Sequence, residues 1–230
     1  MASSADRMAA GAGFGALAKA DELKKRLWFT VGALIIYRLG TYLPLPGIDP
    51  GALADIFSQQ SSGILGMFDM FSGGALSRMT IFALNIMPYI TASIIMQLMT
   101  AIVPTLETLK KDGEAGRKTI NQYTRYLTVL LATVQGYGIA VGLESASGVV
   151  DDPGLFFRVT TVVTLVGGTL FLMWLGEQIS EKGIGNGISM IIFAGIVAEI
   201  PRALVTTFEL GRTGAVSTIM IIGIFVLLVG

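Results

Sequence analysis

Arg38, Asn85, Gln97, Gln135 and Glu199 are polar side chains standing inside long apolar stretches of this 230-residue chain. A polar group placed in hydrocarbon is costly, so each needs a role. The chemistry open to them is narrow. The chain has no cysteine and no histidine, which excludes disulfides, thiolate nucleophiles, Cys/His zinc sites and imidazole acid–base work. Catalysis would have to rest on Asp, Glu, Ser, Lys or Tyr, and no carboxylate pair sits in the middle of an apolar stretch. That argues against a pump or a proton-coupled transporter. Asn85 and Gln97 are uncharged and suit hydrogen bonding between helices better than ion or proton relay. Arg38 and Arg158 stand near the outer ends of their stretches and can reach water along their aliphatic stems. Glu199 has Arg202 three residues on as an ion-pair partner. No catalytic, cofactor-binding or metal-ligating set emerges, and the reading is of a protein that is not an enzyme.

The other spacing that could carry function is apolar. Ile86 and Ile90 stand four apart, as do Ile188 and Ile192, so each pair projects from one face of a helix. Two such faces can close a hydrophobic constriction, though most isoleucine pairs at this spacing are ordinary packing or lipid-facing residues. Pro88 sits among them at Asn85-Ile86-Met87-Pro88-Tyr89-Ile90 and predicts a kink in its helix. Gly183-Ile184-Gly185-Asn186-Gly187 opens an apolar stretch directly, giving a backbone that can approach a neighbour closely. It is no phosphate loop, since no strand precedes it and no Lys-Ser/Thr follows.

These residues must be positioned by membrane-spanning helices. The chain is 53% hydrophobic and 14% charged, against about a quarter charged for a soluble domain. A bilayer core about 30 Å thick needs roughly 20 apolar residues in a helix. Stretches 27–43, 79–103, 126–143, 155–176 and 184–207 qualify, and 215–230 reads as a sixth span cut short. The fold expected is an all-α polytopic transmembrane helix bundle. Lys and Arg gather before the first span, between the second and third, and at Lys182 between the fourth and fifth, which places these regions and the N-terminus on the cytoplasmic side. The loop 109–118 is a solvated inner loop on this reading. The first span follows a basic segment, but it contains Arg38 and leads into Pro44-Leu45-Pro46-Gly47, so it is a retained helix rather than a cleaved signal. An apolar piece at 64–74 is too short to span. It fits a re-entrant, plug-like half-helix or an external loop with a few buried side chains.

Taken in order, several strings resemble the SecY family, the protein-conducting channel of the bacterial Sec translocon. They are Tyr37-Arg38-Leu39-Gly40 with Pro44-Leu45-Pro46-Gly47-Ile48, Met70-Phe71-Ser72-Gly73-Gly74-Ala75-Leu76-Ser77-Arg78, and Ile86-Met87-Pro88-Tyr89-Ile90. Gln122-Tyr123-Thr124-Arg125-Tyr126 and Trp174-Leu175-Gly176-Glu177-Gln178-Ile179, running into Gly183–Ser189, continue the match.

The resemblance implies a channel of two inverted five-helix halves around an hourglass pore. This chain would supply a cytoplasmic segment 1–26, the first half 27–207, and an outer loop with the start of a sixth helix at 208–230. It implies a pore ring containing Ile86, Ile90, Ile188 and Ile192, and a plug that includes Ile64, Leu65, Met67, Phe68, Met70 and Phe71. It implies a lateral-gate wall at Ile94, Gln97 and Leu98. Implied partners are SecE and SecG subunits, the SecA ATPase motor, the ribosome with its nascent chain, signal peptides, unfolded preproteins and membrane lipids. The implied location is the bacterial inner membrane, and no cofactor is implied. Energy would come from the motor or ribosome, since the chain has no Walker A motif. The competing classes are a secondary transporter, which would need a midplane substrate or ion site, and a structural subunit packed against a channel, which leaves the glycine-rich helix entry unexplained.

Overall fold

The computed structural model describes residues 21–49, 51–53, 69, 72–146 and 148–212. Among these, the helices run in the order α1 (Asp21–Gly40), α2 (Met87–Ile102), α3 (Pro104–Lys111), α4 (Glu114–Ser145), α5 (Leu155–Lys182) and α6 (Gly187–Arg212). No strand forms among the described residues; extended pairing is limited to single bridges, Pro44 with Thr80 and Ile48 with Val150. The plug residues Ile64, Leu65, Met67, Phe68, Met70 and Phe71, the segment 1–20 and the sixth span at 215–230 lie outside the described residues.

Three helices, α4, α5 and α6, are long and apolar enough to cross a membrane, and α2 with α3 makes a fourth span if the pair is taken together across its 100° bend. α1 falls short of that measure because Asp21, Glu22, Lys24, Lys25, Arg26 and Arg38 fall within its 20 residues. α4 reaches well beyond the expected 126–143. Its 32 residues span about 48 Å at 1.5 Å per residue, so the basic stretch read as an inner loop is mostly helix.

The expected second span at 79–103 is the largest departure. The chain turns non-helically from Gly73 to Ile86, and α2 begins only at Met87. Met79 and Asn85 hold positive φ, 44° and 49°, a conformation a helix cannot contain. Short turns satisfy the backbone here: Ala83 N donates to Thr80 O at 2.9 Å, Asn85 N to Phe82 O at 2.8 Å and Ile81 N to Leu43 O at 3.1 Å. Such backbone survives at membrane depth only when wrapped in protein. It is so wrapped, with Phe82, Ala83, Leu84, Asn85 and Ile86 all buried. Pro88 therefore kinks nothing. It occupies the first turn of α2, where a missing N–H costs no intrahelical bond.

α5 is the central post. One side packs on α4, whose buried residues Thr124, Thr128, Ala132, Gly136 and Ala140 recur every four positions and keep that face flat. The other side meets α1, α6 and the 72–86 segment. Gly168 is the reason the segment can lie there, since a Cβ at that position would fall on the Ile81 carbonyl. Tyr37, Phe82, Phe171 and Trp174 form a ladder of rings with centroids 6.2, 5.8 and 5.8 Å apart, joining α1 to α5 through the segment.

Two charged pairs tie α4 to α5. Arg125 grips Glu177 with two bonds, Nε to Oε1 at 3.0 Å and Nη2 to Oε2 at 2.6 Å. At the other end Arg158 donates to Glu144, Nε to Oε2 at 2.7 Å, while Glu144 Oε1 accepts the Gly154 N–H at 2.9 Å. Arg158 thus pairs across helices with Glu144 at the end of α4 while its side chain stays 37% exposed, so the ion pair adds to the expected reach to water.

Candidate pore-lining site

Ile86, Ile90 and Ile192 line one cavity of about 240 Å³ together with Asn85 and Met87. Ile86 is the residue that caps α2, and the first α2 bond, Ile90 N to Ile86 O at 3.0 Å, sets the two isoleucines one turn apart. Ile192 arrives from α6. Ile188 does not line this cavity and packs instead against the core around Leu175 and Ile179. Ile86 is itself fully buried, so it is a core residue as well as a wall. The wall is apolar but for Asn85, and it offers a passing solute few groups to bind.

The α5–α6 turn fixes the height of Ile192. Asn186 Oδ1 accepts the N–H groups of Ile188 and Ser189 at 3.1 and 3.2 Å, a side-chain cap for α6. Thr30, buried in α1, accepts the Ile184 N–H at 3.1 Å and donates to Arg26 O at 2.9 Å. The sequence reading passed over Thr30, and one threonine in an apolar helix gives no signal of a partner 154 residues away.

In the segment leading to Ile86, three consecutive carbonyls of the Ser72–Gly74 turn are held by side chains. Tyr37 OH donates to Ser72 O at 3.4 Å, Arg38 Nη1 and Arg78 Nη2 both donate to Gly73 O at 2.9 Å, and Arg78 Nε donates to Gly74 O at 2.8 Å. Both guanidiniums also lie against the Tyr42 ring, 5.1 and 4.5 Å from its centroid. Gly73 and Gly74 have φ of +64° and +76°, where a side chain would be strained. A Cβ on Gly73 would also lie 3.1 Å from the Gly195 carbonyl of α6. Arg38 is therefore a structural donor that locks α1 to the turn, a correction to the expectation that it reaches outward. Asp69 closes the same turn, with Oδ1 accepting the Ser77 N–H at 2.7 Å. Arg38→Ala in the full-length protein is expected to lower unfolding free energy by about 2 kcal/mol, the scale of a lost charged hydrogen bond; a thermal melt in detergent checks it, and an unchanged midpoint contradicts it.

The remaining polar residues divide. Asn85 and Gln135 meet at a second cavity of about 460 Å³ between α2 and α4, with Ser72 and Thr91 also on its wall. Gln97 does not bridge helices as expected. It lies exposed and bonds Ser93 Oγ of its own helix at 3.4 Å. Glu199 places Oε1 beside the Gly74–Arg78 turn, and the side chain of Arg202, its expected partner, lies outside the described residues. Ile94, Gln97 and Leu98 share the exposed face of α2, opposite buried Ala92 and Met96.

The family model for SecY matches residues 80–230. The chain is 57% identical over 208 residues to the protein translocase subunit SecY of Rickettsia bellii, covering 89% of this chain and 48% of that one. It is 56% identical over 209 residues to that of Escherichia coli K12, covering 90% and 47%. The chain thus spans about half the length of the curated relatives it matches. Among solved structures it resembles Sec61 in the canine ribosome–channel complex from the endoplasmic reticulum, with TM-score 0.56 and 21% identity over 82% of this chain and 38% of that one. It also resembles a SecY structure concerned with the plug domain, with TM-score 0.53 and 22% identity over 82% and 37%. The family model covers more than half of the chain, and the two relatives match it at over 50% identity along most of its length: the chain belongs to the SecY family.

Proposed function

We propose that this chain is the first inverted half of the pore subunit of a protein-conducting channel. The channel passes unfolded, signal-bearing polypeptides across the bacterial inner membrane and releases apolar segments sideways into lipid. The observation that carries the reading is the apolar cavity bounded by Ile86, Ile90 and Ile192. An isoleucine wall seals by shape and by resisting water, and it gives each passing side chain little to hold. Ile188, next to the same turn, completes the four-isoleucine set on this reading. No catalytic residue or cofactor is needed, and the energy comes from a partner ATPase motor, SecA, or from the ribosome.

In this proposal 27–207 is the half-channel, with the N-terminal 1–26 in the cytoplasm, the plug at 64–74 and the sixth helix beginning in 208–230. The exposed face at Ile94, Gln97 and Leu98 is the wall where a signal sequence leaves for lipid, since apolar residues gain by that transfer. SecE and SecG complete the assembly. The test is reconstitution of the full-length protein with these partners in vesicles: a signal-bearing preprotein is expected to become protected from added protease in an ATP-dependent way. Protection that is absent, or independent of the signal, sinks the reading.

A further inference from the structure

We propose that Ser180 is a positioning residue for the helix that carries Ile188 and Ile192, its hydroxyl setting where α6 begins against α5. The functional meaning of this rests on the pore-lining reading of those isoleucines, while its geometry stands apart from it.

α5 and α6 are in close backbone contact at their shared turn. A Cβ on Gly187 would fall on the Gly176 carbonyl, and a Cβ on Gly176 would lie 3.1 Å from Ile188 Cγ1. Such contact leaves little slack for sliding one helix along the other. Gly187 opens α6, so its N–H has no partner inside the helix. Gly187 is also buried, which denies that N–H a water. Ser180 Oγ accepts it at 2.8 Å and donates its own hydrogen to Gly176 O at 3.0 Å. One hydroxyl thus joins the last turns of α5 to the first residue of α6. The next donors along, Ile188 and Ser189 N–H, are met by Asn186 from within the turn. That cap shapes the start of α6 but does not hold it to α5, whereas the Ser180 bond does. Ile188 is the next residue after Gly187 and Ile192 one turn beyond, so a shift at Gly187 passes directly to both.

The test compares Ser180→Ala, Ser180→Val and Ser180→Thr in the full-length channel with its partner subunits, reconstituted in lipid. Threonine keeps the hydroxyl, and valine matches threonine in shape without it. Two quantities are read: amide hydrogen exchange over 186–192, and resting ion leak per assembled channel. The alanine and valine variants are expected to speed exchange and raise leak about fivefold, the effect of one lost buried hydrogen bond, while threonine restores both to wild type. Wild-type exchange in the alanine and valine variants, or loss in the threonine variant, overturns the proposal. If the alanine variant does not assemble, the valine and threonine pair decides the question on the same terms. An Ile192→Ser control separates the two readings. A tight Ile192→Ser channel beside fast-exchanging Ser180→Ala protein removes the pore-lining reading and leaves the positioning intact. A leaky Ile192→Ser channel with Ser180→Ala unchanged in both quantities removes the positioning alone.

Discussion

Ile192→Ser in the full-length channel is expected to raise resting ion leak about tenfold and to admit preproteins with defective signals. Serine in place of isoleucine removes apolar surface worth about 2 kcal/mol and puts a hydroxyl where water was disfavoured, so the constriction wets more easily. Ile192 is the cleaner position for this test because it is half-buried, facing the cavity from α6. Ile86→Ser is expected to leak too, but Ile86 is fully buried against the core around Phe82 and Leu172, and its variant should also lose stability. Single-channel or vesicle-flux recordings check both. Equal leak in wild type and Ile192→Ser, with equal rejection of defective signals, would remove Ile192 from the ring.

Gly187→Ala is expected to have a large structural effect for a single added methyl. The added Cβ would overlap the Gly176 carbonyl, and backbone cannot swing aside as a side chain can. α6 must lift from α5, which stretches the Ser180 bond and moves Ile188 and Ile192 together. The expected cost is about 3 kcal/mol, at the upper end for overpacking, read as a lower thermal midpoint and reduced assembled channel. By contrast Gly185→Ala, where nothing approaches within 4 Å, meets only the strain of a positive φ of 75° and is expected to cost about 1 kcal/mol. If both variants melt alike, close helix contact at Gly187 is not what sets the hairpin.

Much of this was legible in the residues. Apolar stretches of span length located α4, α5 and α6 because in lipid the backbone must satisfy itself, and a long apolar run has few other ways to do so. The Gly183–Gly187 turn was readable for the same reason, as punctuation directly before such a run. The broken second span was not readable. Residues 79–86 are as apolar as the helix after them, and what stops the helix is the positive φ of Met79 and Asn85, in a segment held by Leu43, Leu45 and Gly168 far away in sequence. Periodicity grouped Ile86 with Ile90, and their one-turn relation is present even though Ile86 caps the helix instead of lying within it. The polar residues were the least readable. Arg38 and Gln97 each met a partner other than the water or neighbouring helix expected, and Arg158 found Glu144 as well as water. A side chain's partner depends on what the fold brings alongside, and local spacing does not contain that.

The central claim, that a crossing polypeptide passes between the isoleucines of α2 and α6, is tested most directly by placing a photo-reactive side chain at one position at a time. A translocating preprotein is stalled in the full-length channel, and cross-links are taken from Ile86, Ile90 and Ile192, with Val134 and Phe156 as exposed positions on the outer faces of α4 and α5. The account predicts strong adducts to the stalled chain from the three isoleucine positions and none from Val134 or Phe156. Adducts from Val134 and Phe156 with none from Ile90 or Ile192 would contradict it.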